Sequence, residues 1–163
     1  MELISRLEQE FRTLENPTIE QIKGLFNSLS DLLKQAPKYS SDPGSLPYSR
    51  KTLFRNDAVE AVVVQIPAGR ATAIHGHGNS IGCVFVIEGE FMNTTYLTDK
   101  YGYPVQAGQC TVKTGETLIV PAGLIHQMSN TGREAMISVH VYSPPLHNMM
   151  TYFPYSEVLD FVI

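Results

Sequence analysis

Apolar residues recur at helical spacing from the start of the chain, where Leu3, Ile4, Leu7, Phe11 and Leu14 share one side of a helical wheel before Asn16-Pro17 interrupts them. A second helix is better marked. Thr18 stands as N-cap with Gln21 three residues on, the pattern of a capping box, and Ile22, Leu25, Phe26, Leu29, Leu32 and Leu33 follow on one stripe. Two helices therefore open the chain over residues 1–35, and their stripes are expected to bury against the rest of the domain rather than against lipid or a partner.

A connector rich in Pro, Ser, Asp and Gly covers residues 36–47, after which the texture changes to short β-branched and aromatic runs. Strands are expected at 58–66, 81–87, 91–97, 109–112, 118–120, 125–130 and 135–142. Glu88-Gly89-Glu90 reads as the turn of a hairpin, and Pro104 with Gly108 as an interruption of the next segment. Many short strands behind a helical preface predict a mainly β sandwich or barrel.

Length and composition narrow the class. The 163 residues suit one domain, and 43 % apolar against 17 % charged residues supply a core and exclude disorder. A formal charge of −4 with no basic block argues against a protein that lives on nucleic acid or on an anionic membrane. Charges at the N-terminus and the lack of a long apolar run predict a cytoplasmic protein without a signal peptide. Cys83 and Cys110 lack Cys-x-x-Cys spacing and are expected to be reduced packing residues.

Five histidines exist, two of them in His75-Gly76-His77. On extended backbone, residues two apart point to one face, so both imidazoles can reach one metal ion; taken alone, the pair also suits a polar strand face. Gly69 lies six residues ahead, and Gly115, Pro121, Gly123, His126 and Asn130 follow downstream. These positions match both signature segments of the cupin superfamily, Gly-x5-His-x-His and Gly-x5-Pro-x-Gly-x2-His-x3-Asn, over about residues 60–142. The resemblance implies a small antiparallel barrel or jelly roll with the histidines converging on a metal. Where the usual cupin places a glutamate ligand this chain has Gly82, so the resemblance leaves three neutral imidazoles, His75, His77 and His126. Such a shell keeps the full charge of a divalent ion and favours an incoming thiolate; it would also bind zinc, which as a Lewis acid could serve a hydrolase.

Further along, Ser138, His140 and Tyr142 alternate at strand period within Ser138-Val139-His140-Val141-Tyr142-Ser143-Pro144-Pro145, and Tyr48-Ser49-Arg50 precedes the first strands. The inward polar row alone reads equally well as a hydrogen-bonded structural ladder. Together with the two histidine segments, these elements make the chain resemble the cysteine dioxygenase family over about residues 48–145.

That resemblance implies a non-haem Fe(II) enzyme that adds both atoms of O2 to the sulfur of L-cysteine, giving cysteine sulfinic acid. His75, His77 and His126 would hold the iron, and the substrate would attach through sulfur and amine. Arg50 would grip the carboxylate through its planar guanidinium, with Tyr48 as a further polar contact. Tyr142 would offer its hydroxyl to substrate or oxygen, oriented by His140 and Ser138. Arg55 and Arg70 read as solvated. Animal members carry a cysteine at the place of Gly82, joined to the tyrosine; Gly82 makes no such link and Cys83 faces the other way, as in the bacterial branch. A cis peptide before Pro144 is implied as well.

The expected architecture is one cupin domain over residues 1–163, with a catalytic barrel at about 48–145 and a C-terminal segment at 146–163. The chain is expected to act as a monomer on cysteine and O2. Competing readings are a dioxygenase of 3-mercaptopropionate or cysteamine, and a non-catalytic cupin that binds a ligand or a metal. His147 receives no role, and Tyr152-Phe153-Pro154-Tyr155 is expected to pack against the barrel.

Overall fold

A computed structural model describes residues 2–162 and, in the last helix, side chains as far as Leu159; Met1 and Ile163, the ends of the expected domain, lie outside the described residues. Helices α1 (Leu3–Phe11), α2 (Ile19–Ser28) and α3 (Ser30–Leu33) come first, followed by a 3-10 turn at Ala36–Tyr39. The capping box forms: the Thr18 N–H donates to Gln21 Oε1 at 2.8 Å, and the Gln21 N–H donates to Thr18 Oγ1 at 3.2 Å. What reads as one stripe in the sequence is divided at Leu29, whose φ of −103° and ψ of 7° depart from the helix. Leu29 and Leu33 are nevertheless both buried.

Ten strands follow: β1 (Ser49–Arg55), β2 (Glu60–Ile66), β3 (Ile74–Gly76), β4 (Ile81–Glu88), β5 (Glu90–Thr98), β6 (Pro104–Lys113), β7 (Thr117–Val120), β8 (Ile125–Ser129), β9 (Met136–Ser143) and β10 (Met150–Tyr152). They form two antiparallel five-stranded sheets in the orders β1-β2-β9-β4-β7 and β10-β3-β8-β5-β6, the jelly-roll arrangement of a mainly β domain. Helix α4 (Tyr155–Val162) closes the described chain.

Alternation along the central strands builds two cores. In β2, β4 and β9, the odd positions Ala61, Val63, Cys83, Val139 and Val141 pack under Leu3, Leu7, Phe11, Ile22 and Phe26 of the helices. The even positions Val62, Val64, Val84, Val86 and Met136 meet Phe91, Val112 and Met128 of the opposite sheet. Both faces of β9 are thereby covered, and all eight of its residues are buried. Polar side chains at its even positions, Ser138 and His140, are consequently sealed between the sheets.

Four sequence expectations are corrected. Glu88-Gly89-Glu90 is not a hairpin turn: β4 pairs with β7 and β9, β5 with β6 and β8, and the chain crosses there between sheets. Gly89 sits at φ 74° in that corner, where a Cβ would come within 3.0 Å of the Ala135 carbonyl. Pro104 and Gly108 lie inside β6, the register shift opposite Thr95 and Tyr96 absorbing the irregularity at an edge strand. Cys110 is exposed on that edge rather than packed, whereas Cys83 is buried among helix-facing residues. The C-terminal aromatics pack only in part: Tyr152 joins the sheet in β10 opposite Ile74 and Tyr155 stands edge-on to Tyr103 with ring centroids 5.1 Å apart, but Phe153 and Tyr155 stay more than half exposed at 59 % and 54 %. No helix of the described residues is long and apolar enough to cross a membrane.

Candidate metal centre

The histidine cluster belongs to one sheet. His75 of β3 stands directly opposite His126 of β8, and His77 follows β3 at the start of a turn, where its carbonyl accepts from the Ser80 N–H at 3.1 Å. The ring centroids lie 4.7 Å apart for His75 and His126, 4.8 Å for His75 and His77, and 5.1 Å for His77 and His126. One ligand atom from each lies within 4.8 Å of the others.

Hydrogen bonds decide which nitrogens are available. His75 Nδ1 donates to the Ala73 carbonyl at 2.7 Å, and His126 Nδ1 donates to Asn93 Oδ1 at 2.7 Å, so in both rings the lone pair is left on Nε2. His126 Nε2 and both ring nitrogens of His77 are buried without a hydrogen-bond partner. Orphaned buried acceptors are costly unless something else satisfies them, and converging imidazole nitrogens suit a transition-metal ion. Burial, with His75 and Arg50 nearby, pushes His77 down to about 3. Burial also lowers His75 and holds His126 well below the ordinary imidazole value. All three rings are therefore neutral near pH 7, the form a metal requires. The residues present fit a bound metal.

Across the cavity the other sheet supplies a polar row. Ser138 Oγ lies 2.8 Å from His140 Nε2, and His140 Nδ1 lies 2.7 Å from the Tyr142 hydroxyl. Burial keeps His140 well below its usual pKa, hence neutral. The Tyr142 pKa is raised, by burial first, so its hydroxyl keeps its proton. The Tyr142 ring stacks on His77 at 4.9 Å, joining the two sheets at the site. Gly82 pairs with Tyr142, and a Cβ there would meet the ring at 2.6 Å. The side chain of Cys83 points to the helix side, and the Ser143–Pro144 peptide is cis, both as expected.

Arg50 and Tyr48 line the same cavity, about 340 Å³ of empty space including its mouth, together with His75, His77, His140 and Tyr142. The apolar walls include Val64, Met128, Leu146 and Met149. Every sequence-predicted site residue thus comes together between the sheets; His147 is not among the cavity residues.

Two groups escaped sequence reasoning, Glu60 and Asn93, and two arginines have partners that it did not foresee. Glu60, 1 % exposed, accepts from Arg50 at 2.8 Å. A lone carboxylate inside the apolar run Val59-Glu60-Ala61-Val62-Val63-Val64 was the available signal, because a buried charge needs a partner. Asn93, which orients His126, alternates with Phe91 on the inward face of β5. Arg55 is not simply solvated, standing 3.5 Å from Glu60, and Arg70 donates to the carbonyls of Gly44 and Leu46, tying down the connector.

Solved structures with this fold include an uncharacterised protein with a double-stranded β-helix domain from Klebsiella pneumoniae, 21 % identical with a TM-score of 0.58, the match covering 72 % of this chain and 94 % of that one. A protein from Thermus thermophilus is 17 % identical with a TM-score of 0.55, over 67 % of this chain and 94 % of its own. A recombinant oxalate oxidase in complex with glycolate is also 17 % identical, with a TM-score of 0.56 over 76 % and 70 % of the two chains. Identities this low speak for the fold alone. The family model for cysteine dioxygenase type I matches residues 37–154, which contain all three histidines, the Ser138–His140–Tyr142 row and Arg50. With those residues gathered around one cavity, the chain belongs to the cysteine dioxygenase type I family of non-haem metal thiol dioxygenases.

Proposed function

We propose that this protein converts L-cysteine and O2 to cysteine sulfinic acid, with Fe(II) held by His75, His77 and His126. The observation that carries the reading is the meeting, in one cavity, of partnerless buried imidazole nitrogens with a guanidinium and a protonated tyrosine hydroxyl. The iron would supply the redox-active centre at which sulfur and dioxygen combine. The overall change is balanced: the thiol R–SH and O2 give R–SO2H, both oxygen atoms ending on sulfur with no external reductant.

The chain's own residues bind and orient. Arg50 receives the cysteine carboxylate, a task suited to its fixed fork of donors. Tyr48 offers a further polar contact at the rim. Ser138 O–H donates to His140 Nε2, and His140 Nδ1–H donates to the Tyr142 oxygen, leaving the Tyr142 O–H free to donate to substrate. That polarity needs His140 neutral, as its burial makes it. Leu146, Met149 and Met128 exclude water from the reacting sulfur.

Gly82 beside Tyr142 agrees with an unlinked tyrosine of the bacterial branch. Free cysteines suit a reducing cytoplasm, and one chain supplies every group named, so a monomer suffices. Oxygen uptake and product identification with cysteine, 3-mercaptopropionate and cysteamine, on protein of measured iron content, test the reading. Cysteine is expected to be preferred and to yield the sulfinic acid. Preference for cysteamine overturns the role given to Arg50, and no oxygen uptake by iron-loaded protein leaves a non-catalytic binding cupin.

A further inference from the structure

We infer that Glu60 is a positioning residue that makes the site selective for thiols bearing a carboxylate, by fixing Arg50 and the wall of the cavity together. This deepens the reading above and rests on Arg50 as the carboxylate-binding group.

Glu60 begins β2 on the face turned between the sheets, as the alternation with Val62 and Val64 requires. Its two oxygens are divided between two tasks. Oε1 accepts from the Arg50 guanidinium at 2.8 Å and stands 3.5 Å from that of Arg55. Oε2 accepts from the backbone N–H of Leu146 at 3.1 Å, and Leu146 forms part of the cavity wall. One carboxylate thus connects β1 to the segment that follows β9.

Arg50 needs such a hold. Its side chain is 31 % exposed, and a long side chain at a cavity mouth samples many rotamers unless something fixes it. A charge-assisted bond to a buried acceptor fixes one nitrogen and leaves the remaining guanidinium donors for a ligand. The charges also balance: two guanidinium groups around one carboxylate leave a single net positive charge, enough for one substrate carboxylate. Glu60 touches no substrate atom in this account, and its effect runs through Arg50.

A purely structural ion pair predicts something different. If Glu60 only held the fold, its removal would weaken every ligand alike. Anaerobic titration calorimetry on the iron-loaded full chain separates the two cases without turnover, using cysteine and cysteamine, which lacks the carboxylate. Glu60→Gln is expected to weaken cysteine binding by roughly tenfold to a hundredfold, the loss of a charged hydrogen bond, while cysteamine binding changes less than about threefold. In turnover the same variant should raise KM for cysteine more than it lowers kcat. Equal loss for both ligands, or no loss for either, overturns the inference. Glu60→Asp keeps the charge with a shorter reach and is read the same way if Glu60→Gln does not fold. Arg50→Gln separates the two readings: if it leaves cysteine binding intact, the carboxylate role of Arg50 fails. If it weakens cysteine binding while Glu60→Gln does not, only the inference fails.

Discussion

Adding one methyl group at Gly82 tests how tightly the site is built. An alanine Cβ there would lie 2.6 Å from Tyr142 Cδ1, 2.8 Å from Cε1 and 3.1 Å from the Val141 carbonyl oxygen. Carbon atoms in contact prefer about 3.5–4.0 Å, so the tyrosine ring has to move by about 1 Å. It has little freedom to do so, because the ring stacks on His77 and its hydroxyl is held 2.7 Å from His140. Overpacking of this kind costs about 1–3 kcal/mol, and breaking the hydrogen bond inside the core adds about 1–3 kcal/mol. Gly82→Ala should therefore lose about 2–6 kcal/mol in urea unfolding with an unchanged m value. Because about 1 Å of misplacement costs on the order of a hundredfold in rate, kcat with cysteine should fall by a similar factor in iron-loaded protein. A variant within about 0.5 kcal/mol of the parent, turning over at the parental rate, would refute the claim that Tyr142 is held in one position.

Other perturbations probe the remaining parts. His126→Ala removes a fully buried ligand candidate, and metal retained after desalting, measured by elemental analysis, should fall to background together with turnover. Ser138→Ala leaves His140 Nε2 buried without its partner and should cost about 1–3 kcal/mol in thermal or urea unfolding, with lower kcat. For metal-free protein the pH dependence has a definite sign. His77 is held at about 3 and His140 well below its ordinary value of 6.5, so the unfolded chain binds more protons between those limits. Stability should be full above about pH 6.5 and decline as the pH falls toward about 3, while stability flat across that window would contradict the buried neutral histidines.

The amino-acid sequence by itself determined what depends on neighbours along the chain. Helical spacing and Thr18 with Gln21 located the opening helices, and two-residue alternation put Ser138, His140 and Tyr142 on one face. His75 and His77, two apart, were a candidate pair before any fold was known, and the family motifs added His126 and Arg50. Tertiary structure alone decided what lies across the cavity and which sheet each strand joins. A turn such as Glu88-Gly89-Glu90 has the same local chemistry whether it closes a hairpin or crosses between sheets, and only the distant partners of β4 and β5 distinguish the two. Leu29 shows the same limit in a helix, since an apolar stripe does not reveal a break within it. Asn93 beneath His126 is 33 residues distant, and Leu146 above Glu60 is 86. Alternation tells which face a side chain takes; the packing of two sheets chooses what it meets, because burial turns every unpaired polar atom into a demand that residues far along the chain must satisfy.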